Sequence, residues 1–229
     1  MGIELSAVSY KEKIVSMLGG WFSICLLVWI TGLTVDSNGA VFVVASMGAS
    51  AVLLFAVPHG QLSQPWPVLA GHVISATIGV LCARYVGKDW LAAGFAVGIS
   101  IGSMHQLKCI HPPGGATAFT AVLGGEAVYE LGFYFIWWPV LVNAIILVGL
   151  ATFFNWPFKW RRYPAFLSRR QYFPKSAQYE KDNSHDAIVG ALRKLDSFID
   201  VTEDDLMALA RMIAREQEAQ LSSKGIKQK

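Results

Sequence analysis

The sequence predicts an all-α membrane protein built as two inverted repeats of three membrane helices, with broken or half helices, plus a short cytoplasmic helical tail. Three observations lead there. First, 54% of the 229 residues are hydrophobic and 15% are charged, against roughly 25% charged in ordinary soluble domains, and the mean hydropathy is +0.43. Second, charge is segregated. From Ile14 to Met104 the charged residues are Asp36, Arg84, Lys88 and Asp89, and from Cys109 to Phe158 they are Glu126 and Glu130, whereas everything after Lys159 is polar. Third, motifs recur in order. Gly48-Ala49-Ser50-Ala51 is echoed by Gly115-Ala116-Thr117-Ala118, and Trp66-Pro67-Val68-Leu69 returns unchanged as Trp138-Pro139-Val140-Leu141, which is how a duplicated transporter unit is written.

These observations divide the chain into an N-terminal cytoplasmic segment (1–13), a transmembrane domain (14–158, with repeats at about 14–86 and 90–154), a basic juxtamembrane linker (159–182) and an amphipathic helical tail (183–229). The first span, from Ile14, carries Trp21 and Trp29 near its ends and is long enough to cross about 30 Å of hydrocarbon. Asp36-Ser37-Asn38-Gly39 makes a turn, and a second span runs to Pro58. Its patch Ser46-Met47-Gly48-Ala49-Ser50 is small-residued; the bland reading is helix packing, the sharper one a half-helix starting at Gly48.

A polar turn from His59 to Pro65 leads to the third span, with His72 and Ser75 on one helical face. Trp90 to about Leu107 is the fourth, rich in Gly94, Gly98 and Gly102, which permits close helix approach. His105, Gln106 and Lys108 precede the run His111-Pro112-Pro113-Gly114-Gly115-Ala116-Thr117. Two prolines followed by two glycines in apolar sequence break one helix and begin another, with its first amides inside the membrane, where irregular backbone is tolerated only within protein or along a cavity. Glu126 to Leu131 reads as a polar linker, and Gly132 to Phe154 as the last span, carrying Asn143.

Arg161, Arg162, Arg169 and Arg170 form a basic collar suited to anionic headgroups and mark the cytoplasmic side. In the tail, Ile188, Leu192, Leu195 and Phe198 share one face, and Thr202 with Asp205 resembles a capping box. The formal charge of +3 reflects these flanks and does not indicate nucleic acid. Cys25, Cys82 and Cys109 lie far apart in apolar sequence, which argues against a disulfide framework or zinc ribbon.

Taken together, the Met47–Ala51 patch, the Gln64-Pro65 turn, Gly71-His72 with Ser75, the HPPGGATA run, Gly124-Gly125 and the closing Arg161-Arg162-Tyr163-Pro164 resemble the HPP family of integral membrane proteins, over about residues 14 to 164. Members in photosynthetic lineages are linked to nitrite transport, so the resemblance implies a transporter or channel for a small monovalent anion, foremost nitrite. The expected site lies between two helix N-termini near the bilayer midplane: Ser46, Gly48, Ala49, Ser50, His72, His111, Gly114, Gly115, Ala116 and Thr117, with Lys108 and Asn143 tuning it. Helix N-termini favour anions by up to ~2 kcal/mol each when partly buried.

A metal transporter or sensor is the alternative, since His59, His72, His105 and His111 share an apolar region, although no pair stands at i, i+3 or i, i+4. A structural or regulatory membrane protein is a third. No nucleophile, base and acid constellation marks an enzyme, and no cofactor or resident metal is expected. The implied partners are the anion, the bilayer (as a multi-pass protein of a bacterial inner membrane, both termini cytoplasmic) and a second copy of the chain, most simply as a homodimer.

Overall fold

The computed structural model describes residues 9–33 and 37–167, excepting the side chains of 37–43. The tail at 183–229, its capping box, Arg169 and Arg170 lie outside them. Every regular element among the described residues is helical: α1 (Tyr10–Gly32), α2 (Ser37–Ala56), α3 (Pro65–Tyr85), α4 (Asp89–Gln106), α5 (Pro112–Leu123), α6 (Glu126–Leu131), and α7 (Val142–Asn155) entered through a π-helical segment at Ile136–Leu141. Three are long and apolar enough to cross a membrane: α1, α3 and the Ile136–Asn155 stretch. α1 begins at Tyr10, ahead of the expected Ile14, and its 23 residues reach about 34 Å.

Prolines set where several helices begin. Pro65 and Pro67 open α3, Pro112 and Pro113 open α5, and Pro139 follows Trp138, whose extended backbone (φ −131°, ψ 123°) interrupts the last span. Proline suits a helix start, where its missing N–H would have no partner anyway. Both copies of Trp-Pro-Val-Leu therefore sit at the entrance to a helix. α5 is short, 12 residues or about 18 Å. It stops at Gly124, where a Cβ would lie 2.5 Å from the Thr120 carbonyl, and Gly125 follows with φ +87°. The expected linker after it is instead α6, ended by Gly132 at φ +51°. A side chain on Gly132 would collide with the Arg84 guanidinium, which packs over Tyr129 and Phe133 at 5.8 Å from each ring centroid.

The half-helix expected to start at Gly48 does not exist. α2 runs unbroken from Ser37 to Ala56, because the small residues around Gly48 include no proline and one internal glycine costs only about 1 kcal/mol of helix propensity. Among the described residues the chain breaks at the HPP run and again at Trp138-Pro139, and not at Gly48.

Close approaches fix the helix directions. A Cβ on Gly19 of α1 would meet Phe55 of α2 and Phe154 of α7, and Thr31 near the other end of α1 bonds Asn143 at the start of α7, so α1 is antiparallel to both. Gly71 faces His111, and Gly79 faces Ala118 and Ala121, so α5 runs parallel to α3. α4 is antiparallel to α3: Ala92 and Ala96 pack with Cys82, and Met104 reaches Ser75. One face of the bundle gathers Glu12, the loop up to Gln64 and the chain after α7. The opposite face gathers Arg84, α6 and the start of the last span.

At the Gln64 face, Arg161 corrects the expectation of a lipid-facing collar. It is 1% exposed, paired with Glu12 at 2.8 Å, and it donates to Asn155 Oδ1 (2.7 Å), Ser16 Oγ (3.2 Å) and the Phe55 carbonyl (2.6 Å). Trp160 Nε1 holds the other Glu12 oxygen at 2.9 Å. Burial lowers the Arg161 pKa below the usual arginine value while Glu12 pushes it back up. The α1, α2 and α7 ends meet at one guanidinium because a buried charge must be paired and saturated with hydrogen bonds. Arg162 packs over Trp156, 5.7 Å from the ring centroid.

Candidate functional site

The polar centre of the bundle is a chain of four side chains drawn from three helices. His72 comes from α3, Ser50 from α2, and Thr117 and the N-cap His111 from α5, each 1% exposed or less. Ser50 Oγ lies 2.8 Å from His72 Nε2 and 2.8 Å from His111 Nε2. His72 Nδ1 lies 2.7 Å from Thr117 Oγ1, and His111 Nδ1 lies 2.8 Å from the Leu62 carbonyl. The two rings meet edge to face, centroids 4.9 Å apart.

Hydrogen-bond bookkeeping assigns the protons. The Leu62 carbonyl only accepts, so His111 Nδ1 donates to it. A neutral imidazole then presents Nε2 as an acceptor, and Ser50 donates its single proton there. Ser50 must in turn accept from His72 Nε2–H, which leaves His72 Nδ1 to accept from the Thr117 hydroxyl. The competing contacts, Ser50 Oγ to Ser46 O and Thr117 Oγ1 to Pro113 O, are longer at 3.3 Å. Every donor in the chain thus points the same way, from Thr117 towards Leu62.

The sequence around the chain lets the helices close on it. A Cβ on Gly71 would stand 2.7 Å from His111 Cβ, and one on Gly114 would stand 2.9 Å from the Gly71 carbonyl and from Ser75 Oγ. Only glycine permits this approach, which sets His72 beside His111. His72 lies roughly 10 Å along α3 from its start at Pro65 and about 5 Å short of the helix midpoint at Ser75, so the cluster sits on the Gln64 side of the centre of the bundle.

Of the residues expected to form the site, Ser50, His72, His111 and Thr117 are brought together. Ser46 is buried one turn away on α2 and supplies the carbonyl to Ser50. Gly114 is the α3 contact. The others point elsewhere. Gly48 lines a 340 Å³ groove between α1 and α2, and Ala49 is exposed. Gly115 and Ala116 line an apolar 530 Å³ groove between α4 and α5, with Val97 and Phe119. Lys108 is exposed and adopts φ 53° in the turn that ends α4, its amide bonded to the His105 carbonyl at 3.2 Å. Asn143 is paired with Thr31, donating from Nδ2 at 3.0 Å, and does not reach the cluster.

Two facing helix ends are therefore not present. At α5 the amide supply is thin as well: Pro112 and Pro113 have no N–H, and Gly114 N already donates to the His111 carbonyl at 2.8 Å. The four histidines considered for a metal also separate. His59 bonds the Trp160 carbonyl at 3.0 Å, His105 is exposed, and among the described residues no three His, Cys, Asp or Glu side chains gather as a metal-binding group. What sequence reasoning missed is the Leu62 carbonyl, a backbone group with no side-chain signature, and the Glu12–Arg161 pair.

The family model for the HPP transmembrane region matches residues 5–164. The chain belongs to the HPP family. The matched region contains the whole Ser50–His72–His111–Thr117 cluster and the Arg161 network. Among curated proteins, this HPP chain is similar to a transmembrane protein of Dictyostelium discoideum, 34% identical over 155 residues, covering 66% of this chain and 50% of the other. A second transmembrane protein of the same organism is 38% identical over 127 residues, covering 54% and 44%. The chain thus spans about half the length of these relatives. No solved structure matches it.

Proposed function

We propose that this HPP-family protein transports a small monovalent anion, nitrite foremost, through the Ser50–His72–His111–Thr117 cluster. The observation that carries the reading is the convergence of two buried imidazole nitrogens on one oxygen atom, Ser50 Oγ, each at 2.8 Å. An oxygen of a small oxyanion can take that place once His111 Nε2 has gained a proton, accepting then from both Nε2–H groups. The histidines and Thr117 ride on α3 and α5, locked together at Gly71 and Gly114, whereas Ser50 rides on α2. A shift of α2 would uncover both Nε2 atoms to a ligand without moving a fixed charge. The dipole of α5, aimed from His111 along the helix, adds to the attraction.

The chain direction supports an inverted repeat: α1, α2 and α3 alternate across the bundle, and α4, α5 and the last span alternate in the opposite sense. Both termini of the transmembrane region then lie on the Gln64 face, and the basic Lys11, Lys13, Arg161 and Arg162 flanks favour reading that face as the cytoplasmic side, in our proposal of a bacterial inner membrane. A homodimer through α4 fits this arrangement, because Gly94, Gly98 and Gly102 form an open ridge with no atom within 4 Å of an added Cβ, and such ridges let membrane helices meet closely.

The test is flux into liposomes containing only this protein, assayed for nitrite, nitrate, formate, chloride and divalent metal ions against protein-free vesicles. Saturable nitrite flux is expected. Metal flux without anion flux would replace this reading with the metal alternative.

A further inference from the structure

We propose that the Thr117–His72–Ser50–His111 chain is a proton relay ending at the Leu62 loop, and that it makes transport by this protein proton-coupled. The inference rests on the transport reading above but on a different feature of the cluster, its single hydrogen-bond polarity.

The transfer balances. Thr117 passes its hydroxyl proton to His72 Nδ1 as its oxygen takes up a proton arriving from outside the chain. His72 passes its Nε2 proton to Ser50 Oγ as Ser50 passes its own to His111 Nε2, and His111 releases its Nδ1 proton to water at the half-buried Leu62 loop. One proton enters, one leaves, and no atom is oxidised or reduced. Each link is 2.7 or 2.8 Å long, within the range of strong hydrogen bonds along which protons move.

The end state explains the coupling. After transfer every donor in the chain points backwards, and His111 Nδ1, now without a proton, faces the Leu62 carbonyl at 2.8 Å. Two acceptors in that contact repel, since a buried acceptor without a donor is destabilising. The Leu62 loop must move or the rings must reset before a second proton passes. Passage of a proton therefore drives a structural change at the mouth of the cluster, which lies between α2 and α3.

The groups facing the pair are few. α2 contributes Ser50, α3 Ser75, α4 Met104, the α4–α5 connection Cys109 buried beside Gly71, α5 Thr117, and the loop the Leu62 carbonyl. Among the described residues no Asp, Glu, Lys or Arg bonds either ring, so the histidines themselves are the titrating elements.

The experiment has two arms on the full chain in bilayers. The first records internal pH and nitrite together in proteoliposomes given a nitrite gradient. About one proton should accompany each anion, and with equal nitrite on both sides reversing an imposed pH gradient should reverse the direction of net nitrite movement. The second records 15N NMR spectra of labelled histidines, assigned with His72→Asn and His111→Asn. At neutral pH His72 should carry its proton on Nε2 and His111 on Nδ1, and Ser50→Ala should perturb both signals while Ser50→Thr restores them. Nitrite flux indifferent to pH would overturn the relay and leave the transport reading standing. Opposite tautomers with proton flux but no flux of any anion would overturn the transport reading and leave the relay. Identical tautomers at the two histidines, or neither proton nor anion flux, would overturn the relay.

Discussion

Arg161 shows what one buried charge does to three helix ends. Its guanidinium is held by Glu12, Ser16, Asn155 and the Phe55 carbonyl, so removing it strands the Glu12 carboxylate in an apolar setting. Arg161→Ala should therefore lower stability in detergent by about 3–5 kcal/mol, whereas the double change Glu12→Gln with Arg161→Met should recover most of it. Thermal unfolding followed by tryptophan fluorescence reads both. If the single variant unfolds like the parent, the pair is not holding the ends together. Neither member of the pair was legible in the sequence as a partner of the other: Glu12 sits among flanking charges and Arg161 beside Arg162, so composition pointed both to a solvated or lipid-facing role. Nothing in one sequence marks which of several interfacial charges turns inward.

Contact between α3 and α5 depends on the absence of side chains at Gly71, Gly79 and Gly114. Gly114→Ala adds a methyl against the Gly71 carbonyl and Ser75, with only backbone and a short side chain to yield, and should cost about 1–3 kcal/mol by overpacking. It should also part His72 from His111, visible as a shift of both imidazole 15N signals. Gly115→Ala, 3.9 Å from its nearest neighbour at Val97, should leave stability and spectra unchanged. On the outer face of α4, Gly98→Leu should lower the oligomer mass measured by light scattering in detergent; an unchanged mass would remove the glycine ridge from the interface. The short α5 was readable from the sequence because prolines and glycines impose their backbone geometry wherever they fall. The supposed second half-helix was not, since Gly48 and Ser50 match Gly115 and Thr117 in type but lack the prolines that break the chain. The recurring small-residue motif serves a different purpose in α2: Ser50 completes a hydrogen-bond chain from within an unbroken helix.

For the whole molecule, the alternation of helices puts Lys88 on one face and Ala165, bonded through its amide to Gln64 Oε1 at 2.9 Å, on the other. Single cysteines at positions 88 and 165, in a background freed of Cys25, Cys82 and Cys109, should react with membrane-impermeant maleimide from opposite sides; reaction from the same side would overturn this topology. The membrane class and the helix order were visible in composition and spacing. The location of the polar centre was visible only in part, because His72, His111 and Thr117 announce themselves while their meeting at Ser50 depends on how three helices cross. Accessibility of Ser50 to the transported anion is the claim on which the functional account turns. The measurement that tests it most directly is modification of Ser50→Cys, in the same background, by a small anionic methanethiosulfonate, with and without nitrite. The account predicts that the reagent reaches this position and that saturating nitrite slows its reaction by roughly fivefold or more, while a cysteine at Lys88 reacts at the same rate in both conditions. Reaction at Ser50→Cys unaffected by nitrite, in protein that still carries nitrite across the bilayer, would show that the anion takes another path.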